Sequence, residues 1–310
     1  MPGTAQQDRG VAGGVGLTAL MVAAARAVET HRPDPLAEDP YAEHFVRAAR
    51  ASAHWPVRPE EVPGGEGDPL WGRLGRYFGL RTRVLDDFLL RQAYGGVRQI
   101  VLLGAGLDTR ALRLDWPPGC TVFEVDQEEV LAFKHGVLDA LPAGDGPRAA
   151  RVAIAADLRH DWGAGLTGAG FDPSAPAAWL AEGLLLYLPP AAEQRLVDTV
   201  DALSRAGSTV AYEVKLGVES ADVRDSPVYA AAKERIGVDL LALFDGEPRP
   251  DSVADLAGRG WSTTIRTPFH FTRLHGRGPL PERPDALAAN RWVFARKSPR
   301  SRGSAAGLSR

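Results

Sequence analysis

Two glycines and three acidic residues have the types and spacing expected of a ligand site. Residues 100–126, IVLLGAGLDTRALRLDWPPGCTVFEVD, comprise an apolar run, paired glycines, a helical pattern and a second apolar run that ends in an acid. This succession predicts a nucleotide-binding β-α-β unit in which Gly104 and Gly106 form the first turn. Glycine there lets the backbone approach a ligand where a side chain would collide.

The third glycine position and the first acid help to decide which nucleotide fits. In the dinucleotide pattern G-x-G-x-x-G the third glycine is replaced by Thr109, which disfavours NAD without excluding it. Asp126 lies 22 residues after Gly104, at the predicted end of the second strand. A carboxylate at that point can accept both hydroxyls of an adenosine ribose. The alternative is a solvated aspartate at a strand end.

Two more acids follow later strands. Asp157, in AADLRHDW, could accept from an adenine amino group while the backbone N–H of Leu158 donates to a ring nitrogen. A helix N-cap is the alternative for Asp157. Glu182, in AEGLLLYLPP, ends the fourth strand. Strand carboxyl ends border the ligand crevice. The acids therefore predict a negatively lined pocket for a cationic cofactor without phosphates, such as S-adenosylmethionine.

Composition narrows the class of protein. The chain has 310 residues, 45% of them apolar, and a net charge of −3, which fits one α/β core with additions and disfavours nucleic-acid partners. The single cysteine, Cys120, cannot form an internal disulfide, so a cytoplasmic location is expected. We interpret Cys120 as a small apolar residue, with a nucleophile as the alternative. The histidines show no metal-ligand spacing, so no metal site is predicted.

Export and membrane insertion are both disfavoured. Thr18 interrupts the short apolar stretch at residues 17–25, and Arg26 and Glu29 continue its helical pattern. No stretch approaches the ~20 apolar residues that a membrane span needs.

Alternating strands and helices must position these residues. Helical patterns at 128–141 and 191–205 separate apolar runs, which predicts a mostly parallel, doubly wound α/β sheet. The predicted strands are residues 100–103, 121–125, 152–155, 177–181 and 209–214, with a later strand after the helix and glycine stop in DSVADLAGRGWSTTIRT and a last strand at 290–297.

The predicted domain organisation places helices outside this core. Gly-rich residues 1–15 and the low-complexity tail at 298–310 are predicted to be disordered. Residues 16–95 form an N-terminal helical cap, and residues 96–297 form the core, which carries an insert at about 216–250. Cap and insert have apolar residues at helical spacing, so we expect them to form a lid over the strand ends.

Five motifs in order carry a family resemblance: VLLGAGLDTRALRL, VFEVDQEEVLAFK, ADLRHDW, AEGLLLYLPP and AYEV. They resemble the leucine carboxyl methyltransferase-type branch of class I S-adenosylmethionine-dependent methyltransferases, and more narrowly an actinobacterial group within it. The match runs from about Gly16 to about Val214, with a weaker tail to Lys297. It implies a Rossmann-like class I methyltransferase fold with an N-terminal helical extension and a helical lid insert.

The resemblance also implies which residues hold the cofactor. Gly104 and Gly106 lie below it, Asp126 holds the ribose, and Asp157 with Leu158 holds the adenine. Glu182 lies beside the sulfonium or the amino group.

Arginines are expected to hold the methionine carboxylate. In the family an arginine before the first strand pairs with that group, and we prefer Arg81 to Arg83. Arg26 is the candidate for a basic residue of the first helix. An ordinary exposed helix face is the alternative for each arginine. Leu102 stands where many class I enzymes carry an acid, as is typical of this branch.

Three residues are candidates for a catalytic or positioning role: Tyr187, Glu213 and His270. A carboxylate acceptor is already ionised and needs no base, whereas a phenol or alcohol usually does. Each of the three could equally be structural.

The favoured hypothesis is an S-adenosylmethionine-dependent O-methyltransferase acting on a hydroxyl or carboxylate of a small molecule in secondary metabolism. An apolar lid favours such an acceptor over a peptide. The alternatives are a protein carboxyl methyltransferase and a cofactor-binding protein without activity. An NAD-dependent oxidoreductase is disfavoured by Thr109 and the three acids. We expect no nucleic-acid or membrane partner, and a monomer or homodimer.

Overall fold

The computed structural model describes residues 15–142, 148–215, 221–279, 286–287 and 289–299. The termini predicted to be disordered lie outside the described residues, except Val15, which begins a helix, and residues 298 and 299. The first residues of the predicted insert, 216–220, also lie outside them.

Helices precede the sheet, as the sequence predicts. They are α1 (Val15–Thr30), α2 (Ala42–Ala48) and α3 (Trp71–Tyr94). Gly95 caps α3, and Gly96 continues with φ of +102°, a left-handed conformation that glycine adopts without strain.

Strands then alternate with helices, which confirms the predicted alternation. The elements are β1 (Gln99–Leu103), α4 (Arg110–Arg113), β2 (Thr121–Asp126), α5 (Glu128–Asp139), β3 (Ala150–Ala155), α6 (Gly163–Gly168), β4 (Ala177–Ala181), α7 (Pro190–Ala202) and β5 (Thr209–Lys215). A 3₁₀ turn, Leu185–Tyr187, follows β4.

The remaining elements cover the predicted insert and the end of the sheet. They are α8 (Ala221–Arg224), α9 (Pro227–Ile236), α10 (Leu240–Leu243), α11 (Ser252–Gly258), β6 (Trp261–Arg266), α12 (Pro268–His275) and β7 (Asn290–Lys297). No helix among the described residues has the length and apolarity that crossing a bilayer requires.

One seven-stranded sheet organises the chain, in the order β3-β2-β1-β4-β5-β7-β6. The first five strands pair in parallel, and β7 runs antiparallel between β5 and β6. The predicted Rossmann-like, mostly parallel α/β fold is therefore confirmed. The strand order reverses between β1 and β4, and in such sheets ligands bind at the carboxyl ends beside that switch point.

Each face of the sheet has its own hydrophobic core because side chains of a strand alternate between faces. Val101 and Phe123 face α6, α7 and α11, whereas Ile100 and Leu102 face the C-terminal half of α3. The N-terminal half of α3 packs instead with α1 and α2. Helix α3 thus belongs to both the cap and the sheet, and the predicted boundary at residue 95 stays a prediction.

Cys120 immediately precedes β2 and is buried in the core on the α3 side. Burial raises the pKa of its thiol, which disfavours the reactive thiolate. The cysteine does not line the cavity described below, in accordance with an apolar packing role.

A buried cluster of charged side chains connects β2 with α5 and β3. Glu124 of β2 is fully buried, and its Oε2 lies 2.8 Å from Lys134 Nζ of α5 and 2.8 Å from Arg151 Nη2 of β3. Lys134 is also fully buried. Removing one partner of such a pair leaves an uncompensated charge in the core.

We expect Glu124→Gln to lower the free energy of unfolding by about 3–5 kcal/mol, because Lys134 loses its carboxylate. The double variant Glu124→Leu/Lys134→Met should lose less than the single variant, since it removes both buried charges. Urea denaturation measures both effects. Glu128→Gln, at an exposed position of α5, is the control and should stay within about 0.5 kcal/mol. A double variant less stable than Glu124→Gln would contradict this account.

Candidate active site

A cavity of about 460 Å³ opens at the carboxyl ends of the central strands. Its floor comes from the turn after β1, the end of β2 and the segments after β3 and β4. Residues of α1, α3, α9 and α10 line its other walls. Its size is within the range of small-molecule sites.

The glycine turn after β1 has a shape that only glycine accommodates well. Gly104 and Gly106 have φ of +63° and +48°. A Cβ on Gly104 would lie 2.9 Å from Cδ1 of Leu184. The backbone therefore forms the surface of the cavity at this point.

Asp126, at the end of β2, is fixed by this turn. Its Oδ2 accepts from the backbone N–H of Gly106 at 2.6 Å, and its Oδ1 accepts from the N–H of Gln127 at 2.7 Å. Burial raises the pKa of Asp126, although both N–H groups favour the ionised form. Each oxygen has a further lone pair with which to accept from a ligand hydroxyl.

Asp157 and Leu158 line the cavity next to β3. Asp157 Oδ1 accepts from the backbone N–H of Arg159 at 2.9 Å, and Oδ2 pairs with Arg159 Nη2 at 2.6 Å. The hydrogen bond from the Arg159 side chain lowers the pKa of Asp157 to about 2. Asp157 therefore closes a local turn and does not cap a helix, since α6 begins later, at Gly163.

Glu182, directly after β4, lies between two arginines. Its Oε1 is 2.9 Å from Arg81 Nε, and its Oε2 is 2.6 Å from Arg110 Nη1. Burial alone would raise the pKa of Glu182, but Arg110, Arg81 and Arg26 outweigh it and lower the pKa to about 2. Glu182 therefore remains a carboxylate at neutral pH.

Arg81 lies in the cavity wall, whereas Arg83 lies on an exposed face of α3. Arg81 contacts Glu182 through Nε and Glu213 Oε1 through Nη1 at 3.3 Å, and its guanidinium lies 4.5 Å from the ring centroid of Phe78. Nη2 donates no hydrogen bond to the described part of the chain. Arg83 pairs with Asp87 at 2.9 Å and does not line the cavity.

Arg26 of α1 lines the cavity but already has partners. Its Nη2 donates to the carbonyl oxygen of Leu107 at 2.7 Å, and its Nε lies 2.9 Å from Asp39 Oδ2. Arg26 therefore fixes the glycine turn and adds positive charge beside it.

Two of the three candidate catalytic residues line the cavity, and the third does not. Glu213 of β5 lines the cavity and is buried, with Oε2 accepting from Tyr77 and, at 2.9 Å, from Trp292 Nε1. Tyr187 also lines the cavity, hydrogen-bonds with Thr18, and has its pKa raised to about 12 by burial. His270 lies on α12 against Phe271, outside the cavity lining.

Sequence reasoning missed Arg110 and Tyr77. Arg110 is buried beneath the glycine turn, where it contacts Asp86, Asp108 and Glu182. Tyr77 donates to Glu213 and accepts from Asn290 Nδ2 at 2.6 Å. Near Arg110 the sequence showed only that a charged residue follows the glycine motif. Hydrophobic periodicity cannot show whether such a residue is buried.

The cavity lining carries both signs of charge, although the sequence predicted an acidic lining. Acids and cations lie close together along its wall. The acids are Asp108, Asp126, Asp157, Glu182 and Glu213, and the cations are Arg26, Arg81, Arg159 and Lys215. Such a lining suits a ligand that itself carries both charges. Within the described ranges no group of three His, Cys, Asp or Glu residues could hold a metal ion.

Both predicted lid segments contribute apolar residues to the cavity. Met21 and Val22 come from α1, and Val228, Leu240 and Phe244 come from the insert. Whether these segments open and close as a lid stays a prediction.

Comparisons with known proteins agree with the motifs. Residues 19–201 match the family model for leucine carboxyl methyltransferase. A Streptomyces coelicolor protein described as a "Putative S-adenosyl-L-methionine-dependent methyltransferase" is 66% identical over 92% of this chain and 94% of its own. A Saccharopolyspora erythraea protein with the same description is 45% identical over 95% of this chain and 99% of its own.

Among solved structures, a DUF574 family protein of Streptomyces avermitilis covers 88% of this chain and 96% of its own, with 16% identity and a TM-score of 0.49. The family match spans more than half of the chain, and the relatives span nearly all of it. The predicted family, enzyme class and cofactor are thereby confirmed: the chain is an S-adenosylmethionine-dependent methyltransferase and belongs to the leucine carboxyl methyltransferase family.

Proposed function

We propose that the chain transfers a methyl group from S-adenosylmethionine to a carboxylate oxygen of a small apolar molecule. The observation that carries the choice of acceptor is the state of Tyr187 and Glu213, which both line the cavity. Tyr187 remains a protonated phenol, and the oxygens of Glu213 accept from Arg81, Tyr77 and Trp292. No histidine lines the cavity within the described residues. An acceptor that needs no base therefore fits best.

The cofactor matches the donors and acceptors of the wall. Asp126 has lone pairs for the two ribose hydroxyls, and the Leu158 segment, which lines the cavity, would border the adenine. Arg81 Nη2 and the charge of Arg26 suit the methionine carboxylate, and Glu182 suits the ammonium group. A Cβ on Gly104 would press against Leu184, which also lines the cavity. When bound, S-adenosylmethionine supplies a methyl group activated by its sulfonium.

The protein's own contribution is to orient the reactants and exclude water. Apolar residues of α1 and the insert cover the cavity, which favours a small apolar acceptor over an extended peptide. The family description names a leucine carboxyl group, so a peptide carboxylate is the second candidate.

Transfer to a panel of apolar carboxylic acids, using S-adenosylmethionine labelled in the methyl group, tests the function. We expect labelled products that release labelled methanol in mild alkali, because methyl esters hydrolyse there and methyl ethers do not. Alkali-stable labelled products from phenols or alcohols would overturn the carboxylate assignment. Label in a peptide ending in leucine, and in none of the small acids, would favour the second candidate.

Asp126→Ala should weaken S-adenosylmethionine binding by about 1–3 kcal/mol, the cost of leaving ligand hydroxyls without an acceptor. Calorimetry measures the dissociation constant, and Glu128→Ala, at an exposed position two residues later, is the matched control. A folded Asp126→Ala protein with an unchanged constant would remove Asp126 from the site.

Arg81→Ala should weaken S-adenosylmethionine more than methylthioadenosine, which lacks the amino-acid end, because an arginine–carboxylate pair is charge-assisted. Arg83→Ala, at the exposed position, should affect neither ligand. Equal losses for both ligands in Arg81→Ala would mean that Arg81 acts through the fold, since it also holds Glu182 and Glu213.

A further inference from the structure

The strand order gives the cavity two ends. Asp126 ends β2, Glu182 follows β4, and Glu213 and Lys215 lie on β5. From β2 to β5 the order β2-β1-β4-β5 takes three steps, or about 14 Å at the usual strand spacing. With the ribose at Asp126 and the ammonium at Glu182, the end at β5 is left for the acceptor.

Lys215 brings a positive charge to this end. It follows Glu213 by two residues and so shares its face of the strand. Its Nζ donates to Asn290 Oδ1 at 2.9 Å and to the carbonyl oxygen of Ala286 at 2.6 Å. Asn290 is its register partner on β7, so the two strands together hold the ammonium at the cavity wall.

Three aromatic rings in mutual contact line the cavity, and one of them, Tyr229, lies beside that ammonium. Phe244 is the central ring, with Tyr187 at 5.9 Å and Tyr229 at 6.0 Å between centroids. Lys215 Nζ is 5.9 Å from the centroid of Tyr229. All four residues line the cavity, so a continuous aromatic surface borders a cation there. We name Lys215, Tyr187, Tyr229 and Phe244 the acceptor corner.

We propose that the acceptor corner binds an aromatic carboxylic acid, whose carboxylate pairs with Lys215 and whose ring packs against Phe244. This inference rests on the proposed function, because the same carboxylate receives the methyl group. A ring offers edge and face to the three aromatic side chains, and such contacts add to the burial of apolar area. An aliphatic chain of equal size gains only the burial.

The transfer step balances without a proton. A lone pair on the carboxylate oxygen forms the new O–C bond, the C–S bond breaks, and its electron pair stays on sulfur as a neutral thioether. The second carboxylate oxygen remains paired with Lys215 during the attack. The product ester has no charge, so its attraction to Lys215 falls and the ester is released.

Three probes separate the contribution of the ligand's carboxylate from that of its ring. They are 3-phenylpropionate, 3-cyclohexylpropionate, which keeps the charge and the approximate shape, and methyl 3-phenylpropionate, which keeps the ring without the charge. Calorimetry measures the binding of each to the full chain saturated with S-adenosylhomocysteine, so that no turnover occurs. We expect 3-phenylpropionate to bind roughly two- to tenfold more tightly than the cyclohexyl acid, and roughly tenfold or more tightly than the ester.

Two variants assign these preferences to residues. Lys215→Gln should abolish the preference for acid over ester, and Phe244→Leu should abolish the preference for phenyl over cyclohexyl. Lys233→Gln is the matched control, because Lys233 lies on α9 with 69% of its side chain exposed and pairs with Asp239. Each variant must bind S-adenosylhomocysteine as the unaltered chain does, which shows that it has folded.

Equal binding of acid and ester would overturn the role of Lys215, and equal binding of the two acids would overturn the aromatic class. Absence of binding by all three probes, with normal S-adenosylhomocysteine binding, would overturn the whole inference and leave the methyltransferase assignment intact. Failure of S-adenosylhomocysteine itself to bind would instead refute the proposed function.

Discussion

A buried chain of ion pairs at the carboxyl end of β4 is the interaction on which the rest of the site depends. Arg81 and Asp86 of α3 reach inward, Arg110 comes from below the glycine turn, and Glu182 lies between the two arginines. Each charge has lost most of its water, so removing one member would leave its neighbours with fewer opposite charges in a buried place. Because these residues come from separate segments, the same pairs join the N-terminal helices to the sheet and aim Glu182 into the cavity.

This arrangement also places opposite charges side by side on the cavity wall. Arg81 and Arg26, which help to keep Glu182 ionised, line the cavity together with it, so one wall carries both a carboxylate and cations. Glu213 accepts from three donors, so its oxygens are already engaged by the protein. These contacts support the proposal of an acceptor that is already ionised.

Local patterns in the sequence predicted the features that depend on local rules. Strand and helix periodicity marked the alternating elements correctly, because burial of one face imposes that spacing on any chain. The two glycines marked the turn after β1, since positive φ excludes most other residues. Acids that follow parallel strands necessarily meet at one edge of the sheet, which is why Asp126, Asp157 and Glu182 all line the cavity.

The sequence by itself thus determined the fold, the family and the edge of the sheet at which the cavity lies. Only the tertiary structure decided which arginine of α3 faces the cavity, since Arg81 and Arg83 are two residues apart and point to different sides of the helix. It also decided that Arg110 is buried, that Glu213 is already hydrogen-bonded, and that His270 lies outside the lining. Those outcomes depend on partners more than 20 residues away in the chain, such as Asp86 for Arg110 and Tyr77 for Glu213, and no local pattern records such pairings.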